Sequence, residues 1–301
     1  HAVTNRLLQS PLQLQPVTQL AGLEHGRAQI RPRVDDLRVP LRQRQQVGVL
    51  VSRSEIAAGF GAGVLNTIAG GGTFLTFPAL VLTGVPPVAA NATSAVAVLP
   101  GYLGGALGFR SELAEFGKGQ MIRLVVITLI GGVVGSGLLL VSSNEAFSVV
   151  VPFLLLAATL VFLFGDQLRR WAARNARAVT PEGATGLFLV SVYGGYFNGG
   201  LGIVLLALFA LWGMSNLDRM NGLKNGLSFA LSAISVAVFA LAGLVAWPQA
   251  IMMMVAATVG GYAGAPLARA LPKPFVRGLI GCIGFGMSAV FFWPLLTGSA
   301  G

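Results

Sequence analysis

Lys224 is the one charged side chain in the apolar stretch 220–244, where it sits in the run Asn-Gly-Leu-Lys-Asn-Gly-Leu-Ser. A lysine at the centre of a membrane helix costs about 2.5–3.5 kcal/mol on insertion scales, so it normally faces a cavity or a partner. Near a helix end its stem can instead lift the ammonium to the interface. Asn221 precedes Lys224 by three residues and shares its helical face, and Asn225 follows it directly. A cation among neutral amides is suited to holding a small anion and has no bond-breaking chemistry of its own.

Backbone groups form a second set. Gly70, Gly71 and Gly72 interrupt the long apolar segment 55–84, and Gly199, Gly200 and Gly202 interrupt 184–213. A helix that restarts after such a break has unsatisfied first N–H groups and a positive dipole end. That terminus attracts an anion without a charged side chain, and glycine lets the backbone come close to it. Thr73 opens the restarted helix of the first segment. Taken singly, each glycine also suits close helix packing.

Asn66 and Asn198 stand just before the two breaks. Asn91, Thr93 and Ser94 occupy in the first half the region that Asn221, Lys224 and Asn225 occupy in the second. As donors these residues complete an oxyanion site. As ordinary polar groups they would hydrogen-bond neighbouring helices.

Other chemistries lack their residues. His1 and His25 both precede the hydrophobic region, and Cys282 is alone. No metal set, disulfide or nucleophile–base pair is visible in the core, so neither a cofactor nor an enzyme is expected. No Asp or Glu lies within the full spans, so a membrane-buried proton relay has no evident carboxylate.

The elements that position these residues come in two copies. Gly63-Val64-Leu65-Asn66 matches Gly195-Tyr196-Phe197-Asn198, Asn91 matches Asn221, and Ser94 falls opposite Lys224. A duplicated hydrophobic unit broken by glycine at equivalent places marks a secondary transporter with a pseudo-symmetric site. Hydrophobic residues make up 54% of the 301 and charged residues 10%, against about 25% charged in soluble domains. The expected fold is therefore an all-α polytopic membrane protein.

Six apolar runs are long enough to span: 88–109, 121–141, 147–165, 220–244, 249–268 and 275–296. Pro152, Pro266 and Pro294 are expected to kink or end three of them. The loops 110–123, 166–183 and 269–277 are basic, whereas 142–146 and 244–248 carry no Lys or Arg. All three basic loops share the cytoplasmic side only if 184–213 crosses the membrane an even number of times. A re-entrant hairpin with its tip at the glycines meets that condition. Each arm of about 14 residues is ~21 Å long, too short to cross a ~30 Å core. If 55–84 behaves alike, each half has one hairpin plus three spans, and the halves are inverted. Eight plain spans with parallel halves are the rival arrangement.

The expected organisation is a first repeat at 55–165, a basic linker at 166–183 and a second repeat at 184–296. Residues 1–47 differ, with seven arginines, three acids, eight glutamines and no sustained apolar run. They are expected to be a basic disordered tail, non-native sequence before an alternative start at Val47, Val49 or Val51, or a regulatory tail. About +4 of the +10 net charge lies there, so the basic balance does not point to nucleic acid.

The stretch Ala62 to Gly101 resembles the first repeat of the TauE/SafE family of membrane permeases, also described as sulfite or organosulfonate exporters. The resemblance rests on Gly70 to Gly72, Pro78, Gly84-Val85-Pro86 and Ala90 to Ser94, with Asn221 to Asn225 in the second repeat's Asn-x-x-Lys position. The second repeat lacks a counterpart of Pro78. The resemblance covers about 55–296. It implies transport of small sulfur-containing anions across the bacterial inner membrane. Small anions and the lipid bilayer are then the expected partners. A passive anion channel and a membrane-embedded assembly subunit are the alternatives.

Overall fold

Helix α5 (Lys118–Val141) shows the environment for which this chain is built. Ile122, Val126, Ile130 and Val133 recur every three or four residues on an exposed face, while Leu124, Thr128, Gly131, Gly135 and Leu139 are buried. So much exposed branched apolar surface fits lipid surroundings. The computed structural model describes residues 53–66, 71–175, 183–270 and 273–297, without the side chains of 263–277, 279–280 and 294–296. The expectations for residues 1–47 and for Gly70 lie outside the described residues.

The described residues are all-helical. Among the described residues three helices are long and apolar enough to cross a membrane: α5, α6 (Asn144–Leu163) and α10 (Leu217–Leu241). The other three expected spans correspond to α3 (Pro87–Gly108), α11 (Trp247–Ala270) and α12 (Lys273–Thr297). Helix α3 carries the polar residues Asn91, Thr93 and Ser94, all of them buried. Helix α6 continues past Pro152 rather than ending there. Two basic stretches expected as loops contain helices: α4 (Arg110–Ala114) and α7 (Gly165–Arg174). Asp166 in the first turn of α7 and Arg174 in its last both suit the helix dipole.

Both interrupted segments fold back on themselves. Helix α1 (53–66) is followed by α2 (Thr73–Leu82), and α8 (Ala184–Tyr196) by α9 (Leu201–Leu211). The Thr83 hydroxyl, just past α2, donates to Oε1 of Glu55 near the start of α1 at 2.9 Å. A Cβ placed on Gly186, early in α8, would lie 3.0 Å from Cδ1 of Leu208, late in α9. In one continuous helix these residues would be about 33 Å apart. At the second tip Phe197 is extended, with φ −148°, and Gly200 is left-handed, with φ 71°, as the N-cap of α9. The left-handed step is open to glycine at little cost and reverses the chain.

Glycine brings the helices close together. A Cβ on Gly195 of α8 would lie 2.6 Å from the Gly132 carbonyl oxygen of α5. A Cβ on Gly59 of α1 would lie 2.8 Å from the Met253 carbonyl oxygen of α11. Helices α3 and α10 pack antiparallel. Gly105 meets Asn225 at one end, and at the other the Ala246 N–H donates to Thr93 Oγ1 at 3.0 Å. Helices α6 and α12 are antiparallel too, with Gly284 against Thr159 and Phe292 against Phe153. Phe77 of α2 stands edge-on to Phe147 of α6 and to Phe197 at the second tip, 6.4 and 5.8 Å between centroids. These rings join both hairpins to one apolar core.

Candidate functional site

Two hairpin tips meet one turn of α3. At the first tip, Oδ1 of Asn66 accepts the Gly72 N–H at 2.8 Å, clasping the end of α1 to the start of α2. The amide of Asn66 also lies against Gly101, where a Cβ would be 3.3 Å from Nδ2. At the second tip, Asn198 is buried. Its Oδ1 accepts from the Tyr102 hydroxyl at 3.2 Å, and its Nδ2 donates to Ser232 Oγ of α10 at 3.1 Å. Gly101 and Tyr102 are neighbours, so the paired asparagines reach adjacent positions of the same helix.

The tips are locally over-determined. The Tyr193 hydroxyl, one turn before the end of α8, donates to the Gly199 carbonyl. Gly199 is flanked by the Phe197 ring, which a Cβ there would meet at 2.6 Å. Gly71 and Gly72 lead into α2, whose first residue, Thr73, is buried.

Lys224 projects from the second turn of α10 and is 9% exposed. Its Nζ donates to Asn221 Oδ1 at 3.3 Å. Its stem lies across Gly202 in the first turn of α9, where a Cβ would meet Cδ at 3.2 Å. Among the described residues Lys224 has no carboxylate partner, whereas Arg219 nearby in the chain pairs with Glu115. A cation and the positive end of a helix therefore sit side by side without a compensating acid. Asn225 packs on Gly105 of α3, whose added Cβ would lie 2.6 Å from its Nδ2.

The remaining expected site residues bond to neighbouring elements. Asn91 Nδ2 donates to the Tyr196 carbonyl at 2.8 Å, tying α3 to the end of α8. Ser94 shares a 2.6 Å hydrogen bond with Thr76 of α2. Thr93 faces the loop before α11 through Ala246. These three hold helices together, the alternative role open to any polar residue in a membrane helix.

Tyr102, Ser232 and Tyr193 were not singled out in the sequence, yet they fix the second tip. Ser232 had a detectable signal, since it lies eight residues after Lys224, near the same face of an amphipathic stripe. Tyr102 had none, because its partner lies 96 residues away in the chain.

Comparison with known proteins places the chain in a family. Residues 56–291 match the family described as Sulfite exporter TauE/SafE. A "Probable membrane transporter protein" of Haemophilus influenzae is 29% identical over 248 residues, covering 81% of this chain and 95% of its own. "Probable membrane transporter protein YfcA" of Escherichia coli K12 is 25% identical, covering 76% of this chain and 84% of its own. "Probable membrane transporter protein ORF9" of a Sinorhizobium species is 24% identical, covering 74% and 85%. No solved structure matches. With three helices among the described residues able to span a bilayer and a family match over residues 56–291, the chain belongs to the TauE/SafE family and is a membrane transporter.

Proposed function

We propose that this transporter moves small oxyanions, sulfite or an organosulfonate, outward across the bacterial inner membrane. The observation that carries this proposal is the stem of Lys224 lying across Gly202 in the first turn of α9. Two positive features placed together, with no acid paired to them among the described residues, favour an anion between them. Asn221 on the lysine's face and the amides of Asn66 and Asn198 add neutral donors. Gly71, Gly72, Thr73, Gly199 and Gly200 give the backbone access at the two tips. At an inside-negative potential, export of one negative charge is favoured by ~2.3 kcal/mol per 100 mV, so no proton-relay carboxylate is needed.

An inverted arrangement of the repeats 55–165 and 184–296 accounts for the packing. Helices in equivalent positions, α3 with α10 and α6 with α12, run antiparallel, as inversion requires. Thr83 on Glu55 is consistent with a first hairpin that leaves on the side it entered. Arg219 pairs with Glu115, and Val88 N–H donates to Asn144 Oδ1 at 3.2 Å. Each of these contacts joins residues that the inverted arrangement puts on one side. Eight plain spans would part Arg219 from Glu115. Labelling single cysteines at Ser143 and Lys273, in a chain with Cys282 replaced, tests this. Opposite sides are expected, and same-side labelling would restore the parallel arrangement.

The functional test is efflux of sulfite, sulfate and a short organosulfonate from proteoliposomes, with Lys224→Ala as the paired control. Efflux of one anion, lost in the variant, is the expected result. Efflux untouched by the substitution would return Lys224 to an interfacial role.

A further inference from the structure

Hydroxyls buried in apolar helices normally close on their own backbone. Ser136 donates to the Gly132 carbonyl at 2.7 Å, Thr159 to Leu155 at 2.6 Å and Ser191 to Leu187 at 2.7 Å, each one turn back. Ser228 and Ser235 of α10 do not. They are 0% and 3% exposed, and among the described residues neither hydroxyl has a hydrogen-bond partner. An unmatched buried hydroxyl is a cost that a folded protein usually avoids.

Their positions are not scattered. Lys224, Ser228, Ser232 and Ser235 recur at spacings of four, four and three residues, which places them along one face of α10. At 1.5 Å per residue, Ser228 lies about 16 Å into α10 and Ser235 about 27 Å. Ser232 between them is already bound to Asn198 at the second hairpin tip. The two free hydroxyls therefore flank that tip, one on the side of Lys224 and one beyond it.

We infer that Ser228 and Ser235 are direct contacts of the translocated oxyanion, handing it along α10 from Lys224 past the Asn198 tip. This rests on the anion-transport proposal above. An oxyanion oxygen is an acceptor only, and a serine hydroxyl without another acceptor is free to donate to it. Hydrogen bonds to a charged group are among the stronger ones, so each contact is worth roughly tenfold or more in affinity. Thr128 and Ser288 are also unpartnered and lie on other helices, α5 and α12.

The experiment uses the full chain in detergent and in proteoliposomes, with sodium sulfite and methanesulfonate as probes. Ser228→Ala and Ser235→Ala are compared with wild type and with Lys224→Ala. Without anion, both serine variants are expected to unfold at or above the wild-type Tm, because each removes an unsatisfied group. Their anion-induced rise in Tm is expected to need roughly tenfold more anion, and efflux to fall in step. Weakened anion response in Lys224→Ala with wild-type response in both serine variants would overturn this inference and leave the transport proposal standing. Wild-type response in all three variants, or no response in wild type, would remove both. A serine variant that fails to fold would show that its hydroxyl is structural and would equally overturn the inference.

Discussion

The Tyr102 hydroxyl and the Asn198 side chain are joined at 3.2 Å although 96 positions separate them in the chain. That bond fastens the tip of the second hairpin to a helix of the first half. Asn198 passes the constraint on through Ser232, so α3, the hairpin tip and α10 form one hydrogen-bonded chain. Removing a single member leaves a buried polar atom unmatched, and the cost follows from which member is removed.

Tyr102→Phe leaves Oδ1 of Asn198 without its donor, and the expected loss of stability is about 1–2 kcal/mol. Asn198→Ala also frees Ser232 and opens space, so it is expected to cost more. Thermal unfolding in detergent should rank wild type above Tyr102→Phe and Tyr102→Phe above Asn198→Ala. An unchanged Tm in Tyr102→Phe would mean that the bond contributes nothing.

Gly200 separates backbone strain from side-chain clash. Its φ is 71°, and an added Cβ would come no closer than 3.5 Å to Ala158. Gly200→Ala should therefore cost only the left-handed penalty, about 1–2 kcal/mol, and Gly200→Asn less. Gly199→Ala, by contrast, drives a Cβ to 2.6 Å from the Phe197 ring. Its effect depends on whether that ring can move, so a second-site Phe197→Leu should relieve it. Failure of that relief would assign Gly199 a backbone role instead.

Helix contacts through glycine are expected to be the least tolerant positions. A Cβ on Gly195 would stand 2.6 Å from the Gly132 carbonyl oxygen, which is backbone and cannot rotate away. Gly195→Ala should separate α8 from α5 and lower the yield of folded protein severalfold in size-exclusion profiles. Gly137→Ala, with nothing within 4 Å of the added carbon, should leave the yield unchanged. Equal yields from the two variants would contradict the packing.

Arg219 and Glu115 pair at 3.1 Å, and the guanidinium also lies 4.7 Å from the centre of the Phe116 ring. The two side chains are 37% and 55% exposed. Solvent screens such a pair, and a double-mutant cycle should return a coupling of about 0.5 kcal/mol that shrinks with added salt. A salt-insensitive coupling above ~2 kcal/mol would show that this contact closes off from water.

The sequence alone determines the long helices, their bounds to within a few residues, and two interrupted segments. Apolar runs near the bilayer thickness have few alternatives, because in lipid each backbone polar group must be satisfied inside its own segment. Asn221 beside Lys224 was legible for the same reason, since helical spacing is local and fixed. The basic stretch that forms α7 was misread as loop, because its charges hid an amphipathic helix that packs on α9.

Tertiary structure alone decided how the polar groups are used. Asn66, Asn91 and Ser94 carry donors and acceptors that suit an anion equally well in the sequence. In the fold Asn66 gives its oxygen to Gly72, Asn91 gives its amide to Tyr196, and Ser94 pairs with Thr76. Lys224 reaches the neutral Asn221 Oδ1, and among the described residues the Ser228 and Ser235 hydroxyls have no hydrogen-bond partner. Local spacing sets which face a side chain occupies, but its hydrogen-bond partner comes from helices distant in sequence, and only their packing settles which donors remain for a ligand.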